Sequence, residues 1–461
     1  MTPTPQELVE HALASSTAAG CVVVLRVSTS ANLRWANNTL TTNGVINDTT
    51  VTVISTHEGA SGTAAGVIGR SATSRDQVTE IVQAADAAAA AAGPAEDARP
   101  LVAGAATADW TEPPGETSVA VFDRFAPELA EAFGRARDAR QVLYGYVEHD
   151  VTTTYVGSST GLRLRHVQPT GHVGITGKDT DLTRSAWVGQ ATRDFGDVDA
   201  LGLSAELSRR LEWAERQVDL PAGRYDTVLP PTAVADLLIY LYWTAGGRDA
   251  HDGQSVFSRP GGGTRVGDQL SSRPVRLHSD PALPGLECAP FVVATASTSE
   301  TSVFDNGLPV GPTDWISDGR LQHLLQSRHS ASLTGLAETP PVDNLALVAD
   351  DGQGSVDDLV AGTERGLLLT CLWYIREVDP QTLLLTGLTR DGVYLVENGE
   401  VTGAVNNFRF NESPVDLLSR FGAAGATVPA FSREWGDYFP RTAMPALRVP
   451  DFNMSSVSQA R

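Results

Sequence analysis

The chain has 461 residues, a formal net charge of −21 and 41% hydrophobic residues. This length predicts roughly two to four folding units, and no apolar run reaches the roughly 20 residues that a membrane helix needs. The acidic balance is not offset by any basic stretch, which argues against direct nucleic-acid binding. The first residues lack the basic start and apolar core of a secretory signal, so we expect a cytoplasmic protein without membrane contact.

The three cysteines are Cys21, Cys288 and Cys371. They are far apart in the sequence and odd in number, so they form neither a disulfide framework nor a metal-ligand pair. We expect each to be a small buried hydrophobic residue.

The first predicted unit spans residues 1–95. Thr4 followed by Pro5 predicts a helix to about Ser16, and Ser74 predicts the cap of a second helix that continues into an alanine-rich run. Between them, β-rich segments joined by Asn-Asn, Asn-Gly and Glu-Gly turns predict a meander over residues 21–28, 33–37, 50–55 and 63–68. Residues 96–114 follow as an exposed linker.

The second predicted unit, residues 115–220, starts with a helix over 126–140. Alternating strands then follow at 141–148, 152–158 and 161–168, and a charged helix at 205–217 closes the unit. The third unit, residues 221–461, opens with a strand at 225–229 and a helix at 232–244 and is otherwise mostly strand and turn, with short helices near 320–326, 355–366 and 414–422. The fold class is therefore α+β, with a meander domain, a central α+β domain and a larger strand-rich C-terminal domain.

Residues 365–412 carry the most distinctive pattern of the third unit. Apolar runs at 367–374 and 393–396 are separated by Asp379-Pro380, Arg390-Asp391-Gly392 and Glu397-Asn398-Gly399-Glu400. Asn-Gly between apolar runs is a strong hairpin signal, so the block is predicted to be an antiparallel meander.

Simple catalytic or metal motifs do not stand out. His57-Glu58 has no second histidine at helical reach and is typical of a hairpin turn. His166 and His172 flank Pro169-Thr170-Gly171, which predicts a turn with exposed imidazoles. His323 and His329 lie six residues apart around a predicted helix end and are expected on the surface. No G-x-S-x-G elbow surrounds Ser255, and Cys371 lies inside an apolar strand without a marked histidine partner.

Several separate stretches together resemble the TldD/TldE (PmbA) family over nearly the whole chain. They are LRWANNTL at 33–40, VFDNGLPV at 303–310, the cap-and-helix stretch at 342–370 and TGLTRDGVYLVENGEV at 386–401. The resemblance implies a large strand-rich C-terminal domain and an association with peptide cleavage inside an enclosed chamber.

The catalytic branch of this family carries HExxxH on the helix after the strand that opens the third domain, with a further zinc-binding Cys near the C-terminus. Imidazole and thiolate are good zinc ligands, and a nearby Glu can accept the proton of a zinc-bound water. Here Ile239, Tyr240 and Thr244 stand approximately at those positions, and residues 428–449 contain no Cys. The pattern is similar to the TldE branch, which implies no catalytic residue and no metal in this chain.

The resemblance therefore implies a non-catalytic, TldE-like subunit of a heteromeric zinc metalloprotease acting on small or unfolded peptides, with zinc supplied by a TldD-like partner. Candidate interface or chamber-wall residues are Tyr240, Trp243, Asn306 and Arg390. Three alternatives stay open: a homo-oligomeric peptide-binding protein, an autonomous peptidase with an unrecognised active site, and a modulator of DNA gyrase acting through another protein.

Overall fold

A computed structural model of the chain describes residues 3–459. Among these residues no helix is both long and apolar enough to cross a bilayer. The helices of this part of the chain are α1 Pro5–Ser15, α2 Arg75–Ala91, α3 Phe125–Asp138, α4 Ala200–Trp213, α5 Pro231–Trp243, α6 Gly247–His251, α7 Arg328–Thr334, α8 Val356–Ala361 and α9 Pro414–Arg420.

The first sheet has six strands in the order β3-β2-β1-β4-β5-β6. Its strands are β1 Gly20–Ala36, β2 Thr39–Gly59, β3 Gly62–Ser71, β4 Gln141–Ser158, β5 Arg163–Asp179 and β6 Ser185–Thr192. Because β1 pairs antiparallel with β4, the sheet joins the first two predicted units across the 96–114 segment. The predicted strands at 21–28 and 33–37 are one continuous strand, since both halves of β1 pair with β2.

Two further sheets build the C-terminal half. The larger has ten strands: β14-β15-β18-β22-β8-β13-β16-β17-β7 in order, with β19 on β22. Its bounds are β7 Gln217–Val218, β8 Gly223–Leu229, β13 Arg365–Leu369, β14 Leu372–Asp379, β15 Leu384–Thr389, β16 Val393–Glu397, β17 Glu400–Val405, β18 Phe408–Glu412, β19 Ala423–Ala424 and β22 Leu447–Val457. The smaller sheet runs β11-β10-β9-β12-β21-β20, with β9 Val275–Ser279, β10 Thr313–Ser317, β11 Arg320–Leu321, β12 Leu345–Ala349, β20 Val428–Ala430 and β21 Thr442–Met444.

The 365–412 block forms strands as predicted, but not one meander. β14–β15 and β16–β17 are antiparallel hairpins, and they lie at different places in the large sheet, with β18, β22, β8 and β13 between them. The apolar run at 367–374 breaks at Thr370–Cys371 into two strands. Asn398 and Gly399 both have positive φ, of 54° and 82°, which confirms the tight turn predicted there.

Three local predictions are wrong. No turn forms at Pro169-Thr170-Gly171, because β5 continues through it and pairs with β4 on either side. The predicted helix at 320–326 is instead a short strand and an extended run, and the helix α7 follows only at Arg328. His329 is buried, with 7% exposure, and not on the surface.

A large apolar core contains residues of both C-terminal sheets, and α5 runs through it. Nine of the thirteen residues of α5 are buried, as expected for a helix that is hydrophobic on all sides. All three cysteines are free and buried, which confirms the expectation for them. The α+β fold class is also confirmed.

Trp35 anchors a separate core between the first sheet and α3. The indole is 1% exposed and lies 6.1 Å from the Phe125 ring and 6.3 Å from the Phe133 ring. It also occupies the space above Gly145, where an added Cβ would meet the indole at 2.2 Å. Trp35 is therefore a large contributor to the apolar core that joins this sheet and α3.

Trp35→Ala is expected to lower the free energy of unfolding by about 3–5 kcal/mol, because it opens a large cavity in this core. Chemical denaturation followed by circular dichroism measures the change. Leu40→Ala on the same hairpin, at a side chain that is 52% exposed, should shift stability by no more than about 0.5 kcal/mol. Equal effects of the two substitutions would contradict this account of the core.

Candidate functional site

The residues at the metal-motif positions of α5 serve the fold. Ile239 is fully buried in the apolar core. Thr244 caps the helix, and its Oγ1 donates to the carbonyl oxygens of Tyr240 and Leu241 at 3.0 and 3.1 Å. Tyr240 packs its ring 5.8 Å from the ring of Trp435. The three motif positions therefore hold an aliphatic side chain, a phenol, and a hydroxyl that is hydrogen-bonded to the backbone.

These side chains do not fit a zinc ion, because zinc in proteins is held by imidazole, thiolate or carboxylate groups. Within residues 3–459, no group of three or more His, Cys, Asp or Glu side chains is arranged to hold a metal ion. No hydrolytic step through zinc can therefore be assigned to this helix.

One face of α5 carries a different set of side chains. Asp236, Tyr240 and Trp243 are spaced i, i+4 and i+7, so they follow one another along the same face. Asp236 is the only charged residue of the helix and is fully buried, whereas the Trp243 side chain is 37% exposed. The face therefore runs from a buried carboxyl to an exposed indole.

The segment 432–439, between β20 and β21, covers this face. Both the Ser432 hydroxyl and the Glu434 backbone N–H donate to Asp236 Oδ1, the latter at 2.9 Å. Trp435 Nε1 donates to the Asp236 carbonyl oxygen at 2.9 Å, and its ring lies 5.3 Å from the ring of Trp243. The cysteine-free stretch predicted from the sequence is thus in direct contact with the helix that would carry the metal motif.

Asp236 is electrostatically unusual. Burial raises the pKa of its carboxyl from 3.8 to about 7, although the bonds from Ser432 and Glu434 oppose the shift. Its Oδ2 atom is buried and has no hydrogen-bond partner. An unpaired buried oxygen is costly when the carboxylate is charged, so the carboxyl keeps its proton in mildly acidic solution and loses it as the pH rises through about 7. Sequence reasoning missed this residue, although a lone charge in an apolar helix is a detectable signal.

A stack of rings joins this segment to the first sheet. The Arg433 guanidinium lies 4.0 Å from the Trp373 ring centroid and 4.9 Å from that of Trp187 on β6. Phe431 stacks on Trp187 at 6.3 Å and on His172 at 5.4 Å. A guanidinium between two indoles is a favourable cation–π arrangement. The stack therefore forms a stabilising contact between the first sheet and the C-terminal part of the chain.

Arg441 makes a second link between the halves. Its Nη1 donates to Thr170 Oγ1 on β5 at 3.0 Å, and its Nε donates to the Asp343 carbonyl oxygen at 2.9 Å. Its Nη2 also pairs with the Asp343 carboxylate. Burial lowers the pKa of the nearby His166 below its usual value, so this imidazole is neutral at pH 7.

A groove opens at the C-terminal end of α5, with a volume of about 450 Å³. Trp243, Tyr438 and Phe439 form its aromatic walls, and the carboxyl-bearing residues Glu300 and Asp343 also line it. Tyr242 and Val342, which also line the groove, are joined by two hydrogen bonds. The Tyr242 hydroxyl donates to the Val342 carbonyl at 2.9 Å and accepts from the Val342 N–H at 2.7 Å. This position and lining make the groove the best candidate for a binding site.

The other residues named from the sequence lie outside this groove. Asn306 is 1% exposed, and its side-chain amide bonds to the backbone of Ala294 and Val303. It begins an Asn-Gly turn, with φ of 83° at Gly307, but it is too buried to contact a partner or a peptide in this structure. Arg390 is 43% exposed beside Asp391 in the β15–β16 connection, and so remains a surface residue.

A family model, the PmbA/TldA metallopeptidase C-terminal domain, matches residues 222–456. A search of curated proteins gave no match. The fold is similar to three solved structures. TldE from Thermococcus kodakarensis has a TM-score of 0.77 and 15% identity, covering 97% of this chain and 99% of that one. A proposed modulator of a DNA gyrase from Thermotoga maritima has a TM-score of 0.75 and 16% identity, covering 98% and 100%.

The third is a proposed modulator of DNA gyrase from Bacteroides thetaiotaomicron, with a TM-score of 0.74 and 15% identity over 98% of both chains. At identities this low, these structures show only that the fold is shared. The family model, in contrast, matches more than half of the sequence. The chain therefore belongs to the TldD/TldE (PmbA) family of metallopeptidase-like proteins.

Proposed function

We propose that this chain is a metal-free subunit of a metallopeptidase complex, and that a partner of the same family carrying HExxxH supplies the zinc. The observation that carries the proposal is the set of side chains at the three motif positions of α5. Ile239, Tyr240 and Thr244 occupy the motif positions, and the segment 432–439 is seated against this helix. A helix packed in this way provides a scaffold and a cavity wall.

In this proposal the chain contributes substrate contacts. The groove beside Trp243 and Tyr438 is open and has an aromatic wall with a few polar groups, as a peptide-binding surface requires. Peptides that are small or unfolded present side chains that such a groove can accept. The cytoplasm is the compartment that we propose for this activity.

Co-expression with a family member that carries HExxxH tests the partnership. The two chains should elute together in size-exclusion chromatography, and Trp243→Ala should weaken peptide binding or association because it removes the exposed indole of the wall. Tyr240→Ala is the companion variant, at a half-buried ring on the same face. Elution of two separate species, with peptide binding by neither, would contradict the proposal.

A further inference from the structure

The groove at the end of α5 has an unbalanced charge. Its lining includes two carboxylates, from Glu300 and Asp343, and no basic side chain. The Asp343 carboxylate is neutralised by Arg441. Glu300 accepts from Thr298 Oγ1 at 2.9 Å and from the Ser299 hydroxyl, and no Lys, Arg or His among residues 3–459 lies within ion-pairing distance of it. One carboxylate of the groove thus lacks a counter-ion.

A second carboxyl reinforces this charge. The Ser299 hydroxyl lies 3.4 Å from Asp249 Oδ2 while it bonds to Glu300, so a single hydroxyl bridges the two acidic groups. A Cβ at Gly246 would lie 3.0 Å from Glu300 Oε1 and 3.2 Å from Asp249 Oδ2, which shows that both oxygens converge on one point. Burial and the neighbouring Glu300 raise the pKa of Asp249, as expected for two like charges held close together.

The aromatic part of the groove lining is accessible to solvent. The Tyr438 side chain is 76% exposed and that of Trp243 is 37% exposed, although most large aromatic side chains of the C-terminal core are buried. The faces of indole and phenol rings attract cations. A ligand that fits this groove therefore combines an apolar stem with a positive end. A lysine or arginine side chain has this form.

We propose that this groove is a subsite for a basic side chain of the bound peptide, with the hydrocarbon stem against Trp243 and Tyr438 and the cationic end directed to Glu300. The inference rests on the proposed peptide-binding function and specifies its substrate class. The groove volume of about 450 Å³ lies within the roughly 300–1,000 Å³ typical of ligand pockets.

Three fluorescein-labelled hexapeptides test the proposal, identical except for a central lysine, norleucine or glutamate. Fluorescence anisotropy is measured with the full chain, alone and mixed with a family member that carries HExxxH. We expect the lysine peptide to bind about fivefold more tightly than the norleucine peptide at low salt, and the glutamate peptide to bind weakest. Because the attraction is electrostatic, the lysine preference should shrink as salt is raised.

Glu300→Gln should bring the ratio of lysine to norleucine affinities close to one while the norleucine peptide binds as before. Glu400→Gln, at an exposed glutamate on the β16–β17 hairpin, is the matched control and should leave the ratio unchanged. Thermal unfolding of both variants verifies folding. Equal binding of the lysine and norleucine peptides to the unmodified chain, or an unchanged ratio in Glu300→Gln, would overturn the subsite. Absence of binding of all three peptides in both preparations would overturn the peptide-binding function as well.

Discussion

Tyr242→Phe is expected to lower the free energy of unfolding by about 2–4 kcal/mol. The substitution removes one oxygen atom, and with it two hydrogen bonds to Val342 that are both buried. The Val342 N–H and C=O then lose their partners together, and each unsatisfied buried group costs roughly 1–3 kcal/mol. Because Val342 lines the groove, peptide affinity should fall in the same variant.

Chemical denaturation followed by tryptophan fluorescence measures this loss. Tyr438→Phe is the matched control, since it deletes the same atom from a side chain that is 76% exposed and lies in the same groove. Its effect on stability should stay within about 0.5 kcal/mol. A Tyr242→Phe variant as stable as the control would contradict the account of how α5 supports the groove.

The second large effect is expected at Asp236. Its folded-state pKa of about 7 lies above the usual 3.8, so the folded chain retains a proton that the unfolded chain releases between about pH 4 and pH 7. Stability contributed by this group is therefore full below about pH 4 and is lost as the pH rises through 7. Asp236→Asn keeps the shape and an acceptor for Ser432 and Glu434 but cannot ionise.

Relative to the unmodified chain, Asp236→Asn should gain stability as the pH rises from 5 to 8, on the order of 3 kcal/mol in total. Thermal unfolding midpoints at pH 5, 6, 7 and 8 measure the difference between the two proteins. Asp181→Asn, at an exposed carboxyl, should follow the unmodified chain at every pH. Parallel curves for Asp236→Asn and the unmodified chain would show that the buried carboxyl does not titrate in this window.

Local signals in the sequence predicted those parts of the fold that depend on neighbouring residues. Thr4 and Ser74 cap α1 and α2 as predicted, each with a reciprocal pair of hydrogen bonds, and Asn398-Gly399 forms the predicted turn. Cys371 lies in the core with 1% exposure. In each of these cases the local preference and the packing agree.

The errors arose where distant contacts decide the structure. Pro169 is typical of a turn, but it lies in β5 where only β4 is paired, because β6 begins to pair at Gly171. Because β6 does not pair at this position, the missing N–H of Pro169 removes no hydrogen bond to β6. The predicted helix at 320–326 contains Leu321, Leu324 and Leu325 at helical spacing. The segment is extended instead, and all three side chains are buried in the C-terminal core.

The candidate site was likewise predictable only in part. The family resemblance identified α5 and the segment 428–449, and these two stretches are in contact in the structure. The groove was not predictable, because Glu300, Val342 and Tyr438 lie on three separate loops and are brought together only by long-range packing. The buried state of Asn306 was likewise not visible in the sequence, since an Asn-Gly turn is usually exposed.

The central proposal, that this chain is a metal-free subunit, is tested most directly by measuring zinc content and peptide hydrolysis together. Three samples are needed: this chain alone, a family member with HExxxH alone, and their mixture. We expect no stoichiometric zinc and no hydrolysis for this chain alone, and zinc-dependent hydrolysis in the mixture that exceeds that of the partner alone. Stoichiometric zinc with chelator-sensitive peptide cleavage by this chain alone would contradict the account.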